Sequence, residues 1–251
     1  MSQNLGVKVD MSYVAELCFV IDKEEKVATT VAVREFTDDQ FLMFATENGT
    51  VKKTPIDQFS RPRSVGLIAI DLEDDNHLVR AVYTDGTRDV MLLTSSGKAV
   101  RFKESDVRAM GRTARGVRGA KLGSGHRIIA CIVPDPGTMI LTASAHGYGK
   151  RSQVEDFPLR GRGGQGVIAM QTTERNGDMV GAVQVGEGDE IMLISNQGTL
   201  VRTRVGEISV LGRNTQGVRL INLRDGEQLV GLERIVETEE DAADNQEESN
   251  E

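Results

Sequence analysis

The side chains in this sequence with chemical reach are basic, and they recur at fixed places. Lys52 and Lys53, Arg101 and Lys103, Lys150 and Arg151, and Arg202 and Arg204 lie three to six residues after Gly49, Gly97, Gly147 and Gly198. A second set precedes a later glycine: Arg61 and Arg63 before Gly66, Arg112 and Arg115 before Gly116, Arg160 and Arg162 before Gly166, and Arg213 before Gly217. These later glycines stand 50, 50 and 51 residues apart. Acidic residues gather elsewhere, in stretches such as 71–75 and 187–190. If the units stand around an axis, matched cations lie at one height and form a perimeter belt, with the acids on another rim. Such a belt attracts a phosphate backbone through charge and counterion release, and it reads no base. Lys and Arg on strand edges also deter edge-to-edge aggregation. Recurrence in four units favours the belt.

Sharper chemistry finds no footing. Gly161-Arg162-Gly163-Gly164-Gln165-Gly166 has the dinucleotide spacing G-x-G-x-x-G, but that fingerprint needs a helix after it, and the strand-like Val167-Ile168-Ala169-Met170 follows instead. Asp71-Leu72-Glu73-Asp74-Asp75 lacks the glycine and terminal glutamate of an EF-hand loop and reads as a solvated turn. His77, His126 and His146 fall at different places in their units, and Cys18 and Cys131 are far apart. No metal or cofactor is therefore expected, and the cysteines read as reduced cytosolic thiols. A hydrolase or metal enzyme would need converging histidines or carboxylates, and none is evident. With 4% aromatic residues and no Trp, stacking of single-stranded bases is disfavoured.

The elements that carry the cations follow from the period. A repeat near 50 residues denotes a repeated supersecondary unit. Four units run over about residues 40–84, 89–133, 138–185 and 190–235, inside a folded region 37–236. Each opens on an apolar run, at 41–44, 90–93, 139–141 or 191–194, and turns at Asn48-Gly49, Ser96-Gly97, His146-Gly147 or Gln197-Gly198. Glycine there supplies the positive φ of a tight hairpin. A strand mixing basic and apolar residues follows, then the Arg-bearing loop, the strand after the second glycine, an acidic or Gly-rich turn, and a closing strand. Four short strands per unit predict an all-β, propeller-like architecture without long helices, and leave room for a short helical turn near 55–59 or 155–157. Residues 26–33 match a closing strand, so 1–36 read as a partial unit with an unmatched N-terminus. Residues 237–251 hold eight acids and no base, a disordered acidic tail. Apart from it the chain has 30 acidic and 30 basic residues, so the formal charge of -8 is the tail's. No apolar run reaches transmembrane length and no signal-peptide pattern opens the chain, so a cytoplasmic location without a membrane partner is expected.

The four units resemble the C-terminal domain of DNA gyrase A, the β-pinwheel family. The resemblance rests on Asn48-Gly49-Thr50-Val51-Lys52-Lys53-Thr54, on residues 97–108 with Met110-Gly111, on 176–185 and 198–203, and most specifically on Leu211-Gly212-Arg213-Asn214-Thr215-Gln216-Gly217-Val218. It covers about residues 22–236. Members carry a box, Gln-Arg-Arg-Gly-Gly-Lys-Gly, in their first blade. Here Arg160, Gly161, Arg162, Gly163, Gly164, Gln165 and Gly166 form a degenerate version in a later blade. The family typically has six blades, so four and part of a fifth imply an incomplete pinwheel, an open arc. The resemblance further implies sequence-nonspecific binding, bending and wrapping of double-stranded DNA by the cations named above, without catalysis or cofactor in this chain. The parent would be an ATP-dependent type II topoisomerase that introduces negative supercoils in the bacterial cytoplasm, associated with the nucleoid. ATP and Mg²⁺ would be used by its other parts, and the protein partners would be the rest of gyrase A, and gyrase B. None of Tyr13, Tyr83 and Tyr148 takes the role of the family's active-site tyrosine. Two alternatives are the C-terminal domain of the topoisomerase IV counterpart of gyrase A and a propeller-type interaction module with an acidic partner.

Overall fold

A computed structural model describes residues 29–33, 35–61 and 66–235. Arg63, the acidic stretch 237–251 and most of the expected partial unit 1–36 lie outside the described residues. The first unit holds β1 (Phe41–Thr46), β2 (Thr50–Pro55) and β3 (Leu78–Thr84). The second holds β4 (Asp89–Thr94), β5 (Lys98–Lys103), β6 (Val117–Arg118) and β7 (Ile128–Ile132). The third holds β8 (Met139–Ser144), β9 (Tyr148–Gln153), β10 (Val167–Ile168) and β11 (Met179–Val185). The fourth holds β12 (Glu190–Ser195), β13 (Leu200–Arg204), β14 (Val218–Arg219) and β15 (Leu229–Ile235). The second hairpin strand of each unit ends in a one-turn 3-10 helix: Ile56–Phe59, Glu104–Asp106, Val154–Asp156 and Val205–Glu207.

Every unit is built on an antiparallel hairpin whose turn repeats. The N–H groups of Gly49, Gly97, Gly147 and Gly198 donate to the carbonyls of Thr46, Thr94, Ser144 and Ser195 at 3.0, 3.0, 2.9 and 3.1 Å. Those glycines have φ between 76° and 88°, a region closed to most side chains. The closing strand pairs with the other edge of the first hairpin strand, and a register shift next to the turn recurs in all four units.

In the first three units the opening strands are apolar throughout because both of their faces are covered, whereas β12 of the fourth leaves Ile194 42% exposed. Successive side chains alternate between faces. Met43 and Ala45 pack into the core shared with the second unit, whereas Leu42 and Phe44 pack on the opposite side with Val31 and Val33. Met91 and Leu93 face the third unit, and Val90 and Leu92 the first. Leu141, Ala143, Ile191 and Leu193 fill the layer between the third and fourth. The core is thus a series of layers between successive sheets, and β3, β7, β11 and β15 lie side by side along the inner margin.

The strand after each second glycine does not join its own hairpin. β6 pairs with β2 of the first unit, β10 with β5 of the second, and β14 with β9 of the third. The first three sheets are four-stranded with their last strand lent by the following unit, and among the described residues the fourth sheet has three strands. The close approach explains the second glycine. A Cβ on Gly116 would meet Val51 O at 2.5 Å, and one on Gly217 would meet Gly149 O at 2.5 Å. Gly66 has no heavy atom within 4 Å of the same position.

Candidate nucleic-acid interface

The hairpin cations stand where one unit meets the next. At the fourth residue after the turn glycine, Lys53, Arg101 and Arg151 pair in parallel with Ala109, Leu159 and Val210 of the following unit. Their side chains run the same way. Arg101 Nη1 donates to the carbonyls of Val154 (2.8 Å) and Phe157 (3.2 Å), and its Nε donates to Asp89 (3.0 Å). Arg151 Nε donates to Ile208 O (2.7 Å), Nη2 to Gly206 O (3.4 Å), and Nη1 pairs with Glu187 at 2.5 Å. Lys53 Nζ reaches Glu104, a fully buried carboxylate, at 3.6 Å and its carbonyl at 3.3 Å. One residue earlier, Lys52 Nζ donates to the carbonyls of Ala69 (2.5 Å) and Arg112, and Lys150 Nζ to those of Gly212 and Arg213 (2.6 Å each).

These contacts correct the expected belt. Lys52 and Lys150 are 0% exposed, Arg151 4% and Lys53 6%. The strands that carry them are covered on both faces, so a cation there has to bind loop carbonyls instead of solvent. Burial, helped by Arg112, pushes the Lys52 ammonium down to about 8. Burial also brings Lys150 to about 8, with Arg213 adding to the shift and Asp156 opposing it. The acids do not keep to a separate rim either. Arg115 pairs with Asp71 (3.1 Å) and Glu73 (2.9 Å), and Glu190 meets both Arg202 and Arg204.

The second set of arginines holds the lent strands. Arg112, Arg162 and Arg213 each donate from Nη1 to a carbonyl two residues past the previous unit's second glycine: Ile68 (3.1 Å), Arg118 (2.9 Å) and Ile168 (3.0 Å). They stay at the surface, with hydrogen-bonding capacity to spare. The box-like loop is fastened down in the same way. Arg160 N–H donates to Arg101 O (2.9 Å), Gly163 N–H to Gly119 O (2.6 Å), and Arg162 Nε to Asp106 O (2.9 Å). Gly164 O receives Lys121 N–H at 2.8 Å. Gly163 and Gly166 have φ of 82° and 76°, while Gly161 and Gly164 have open space around them. The loop therefore presents Arg160, Gln165 and the outer edge of Arg162 on a rigid backbone.

Among the expected residues, Arg61, Lys103 and Arg160 are exposed and have no side-chain partner among the described residues. Arg204 is exposed and lies 3.6 Å from Glu190. Arg108, not singled out from sequence, joins the unpaired set. A further cluster was also missed. Arg175 and Arg219 lie 5.1 and 5.3 Å from the centre of the Tyr148 ring, and both donate to its hydroxyl, at 3.4 and 3.0 Å. Those bonds, Arg219's first, hold the phenol below its ordinary range. Arg219 and Arg118 occupy matched places two residues past Gly217 and Gly116, a recurrence visible in the sequence. Nothing in the sequence marks Tyr148. Among the described residues no group of His, Cys, Asp and Glu is arranged to hold a metal. Cys131 is free and buried, and burial drives its thiol up to about 12.

Comparison with known proteins agrees with this architecture. The family model described as DNA gyrase C-terminal domain, beta-propeller, matches residues 40–85, 88–135, 138–185 and 189–235. DNA gyrase A of Pseudomonas aeruginosa is 62% identical over 197 residues, covering 78% of this chain and 21% of that protein. Escherichia coli gyrase A is 49% identical over 217 residues, covering 86% of this chain and 25% of its own length. This chain thus spans about a quarter or less of these two relatives. Among solved structures, the C-terminal domain of DNA topoisomerase IV superposes with a TM-score of 0.82 at 25% identity, covering 92% of this chain and 72% of that one. The gyrase A C-terminal domain gives 0.76 at 27% identity, covering 86% and 72%. Sheets that lend strands, turn glycines at matched positions and a family match in all four units lead to one assignment: the chain belongs to the DNA gyrase C-terminal domain family.

Proposed function

We propose that this chain binds duplex DNA without sequence preference and bends it along the outer loops of its units, as the C-terminal module of a gyrase A protein. The observation that carries this reading is the set of exposed cations left without partners among the described residues: Arg61, Arg108 and Arg160 on loops of three successive units, and Lys103 at the end of β5. Arg112, Arg162 and Arg213 stand beside them, held at one end by a carbonyl. Rigid donors at a repeated spacing suit a phosphate backbone, because they position the duplex and carry little base information. Bending a 20–30 bp site costs on the order of 1–6 kcal/mol, which distributed phosphate contacts must offset. The chain does no chemistry alone. In the whole enzyme its partners are the remainder of gyrase A, and gyrase B, which together use ATP and Mg²⁺ to introduce negative supercoils in the bacterial cytoplasm. The high identity to gyrase A proteins favours this over topoisomerase IV, whose C-terminal domain shares the fold.

The test is ligation of nicked circular DNA in the presence of the chain, alongside duplex binding over a salt series. Binding should weaken with a log–log slope of about -0.9 per phosphate neutralised, and topoisomers should shift to one side of the control distribution. Affinity independent of salt, or an unshifted distribution, rejects the reading.

A further inference from the structure

The four units act as internal controls for one another at the place where the turn before the closing strand meets the hairpin. In the first unit this place is closed by ion pairs: Asp71 and Glu73 take up Arg115, and Asn48 Nδ2 donates to Glu73 at 3.2 Å. In the third, Asn176 closes it, donating to Gln171 O (2.8 Å) and Gln216 O (3.3 Å) while its Oδ1 accepts from Thr173. In the fourth, Glu227 accepts from Arg224 N–H (2.9 Å) and from Ser195 Oγ. Three units thus satisfy this position with protein groups, in the first and third partly lent by the following unit.

The second unit differs. Counting from its glycines, Lys121 stands where Asp71 and Gln171 stand, Gly123 replaces Glu73 and Thr173, and His126 replaces Asn76, Asn176 and Glu227. A cavity of about 260 Å³ opens there, lined by Lys98, Lys121, His126, Thr94, Ser96 and, from the box-like loop of the third unit, Gln165, with no carboxylate on its walls. Ser95 Oγ accepts Arg127 N–H (3.2 Å) and lies 3.2 Å from His126 Nδ1. Two ammonium groups, an imidazole and an amide form a cationic set, and what such a set complements is an anion with several acceptor oxygens. Lys98 and Lys121 have no side-chain partner among the described residues.

We infer that this cavity binds a phosphate group, that of the duplex backbone, at the junction of the second and third units. The inference rests on the DNA-binding reading, and its test separates the two. The chain's His126 imidazole and lysine ammonium signals are followed by NMR, first with a short duplex and then with inorganic phosphate. Both probes should shift His126. Lys98→Ala with Lys121→Gln, the latter being the residue of the third unit, should weaken duplex binding several-fold and reduce the salt slope by about 0.9. The thermal midpoint should stay where it is. A duplex that binds and moves the Arg160 loop, yet leaves His126 unmoved and the variant at the parental slope, overturns the inference while leaving DNA binding intact. If no duplex binds but phosphate shifts His126, the DNA reading fails and the pocket is a site for free phosphate. Silence towards both probes overturns the pocket.

Discussion

Arg151 and Arg202 are the same residue at the same place in two units. Each lies four residues past its turn glycine, and each pairs across the hairpin with an opening-strand residue, Leu141 or Met192. Arg151 is buried beneath the next unit's 3-10 turn, whose carbonyls it binds. Arg202 has a side chain 52% exposed and meets Glu190 of its own unit. The difference lies in what is laid over the hairpin edge: a following unit covers β9, while β13 has no further strand among the described residues. Whether a cation in this fold is a latch or a surface charge is decided by the neighbouring unit, and residue type does not decide it.

That contrast breaks first if the two arginines prove equal. Arg151→Ala should lower stability by about 3 kcal/mol, since it strands the carbonyls of Ile208 and Gly206 beneath the following unit. Arg202→Ala should cost less than about 1 kcal/mol. Urea midpoints of the two variants give the answer, and similar losses would refute the latch. The second glycines extend the same comparison. Gly217→Ala should cost roughly 2–4 kcal/mol, because a left-handed φ of 80° is compounded by overlap with Gly149 O. Gly66→Ala, with φ 74° and open space, should cost only about 1–2 kcal/mol.

A smaller effect is expected from pH. Lys52 and Lys150 lose their protons near 8 in the folded chain and, at their ordinary value of 10.5, later in the unfolded one. Between those values the unfolded chain binds more protons, so stability rises with pH across this window and the gain is complete above it. A urea midpoint that rises from about pH 7.5 to 10 in the parent, and rises less in Lys52→Met with Lys150→Met, supports this; identical pH profiles count against it. The least effect on stability belongs to Lys103→Ala or Arg160→Ala, within about 0.5 kcal/mol, even though each should take about 0.9 from the salt slope of DNA binding. Arg162 is not equivalent to Arg160 here, because its removal also frees the carbonyls of Asp106 and Arg118.

The period and the hairpins were legible because each has a local cause, a glycine at positive φ and an apolar run before it; of the four 3-10 turns, those at Glu104–Asp106 and Val205–Glu207 carried no such mark. The lending of strands was not. Val117-Arg118 alternates identically whichever hairpin it joins, and only the crowding at Gly116 shows which one it meets. The burial of Lys52 and Lys53 was equally hidden, since adjacent cations on a strand point to opposite faces and ordinarily imply that one face is wet. One clue was present. Glu104 is an acid where the other units have Ile56, Val154 and Val205, and its place is that of a partner for Lys53. Arg61, Lys103 and Arg160 were read correctly as surface residues because no later element folds over them.

Because each unit completes the sheet before it, the architectural module is out of phase with the repeat seen in the sequence. Excising residues between two repeat boundaries takes a strand from the unit upstream, and the next unit downstream supplies an equivalent one to the same edge. Gain or loss of a whole repeat therefore leaves every remaining junction of one kind, whereas a cut within a repeat opens two. Duplication can lengthen such an array without a new interface having to be invented, and its length is free to vary while its joints stay constant.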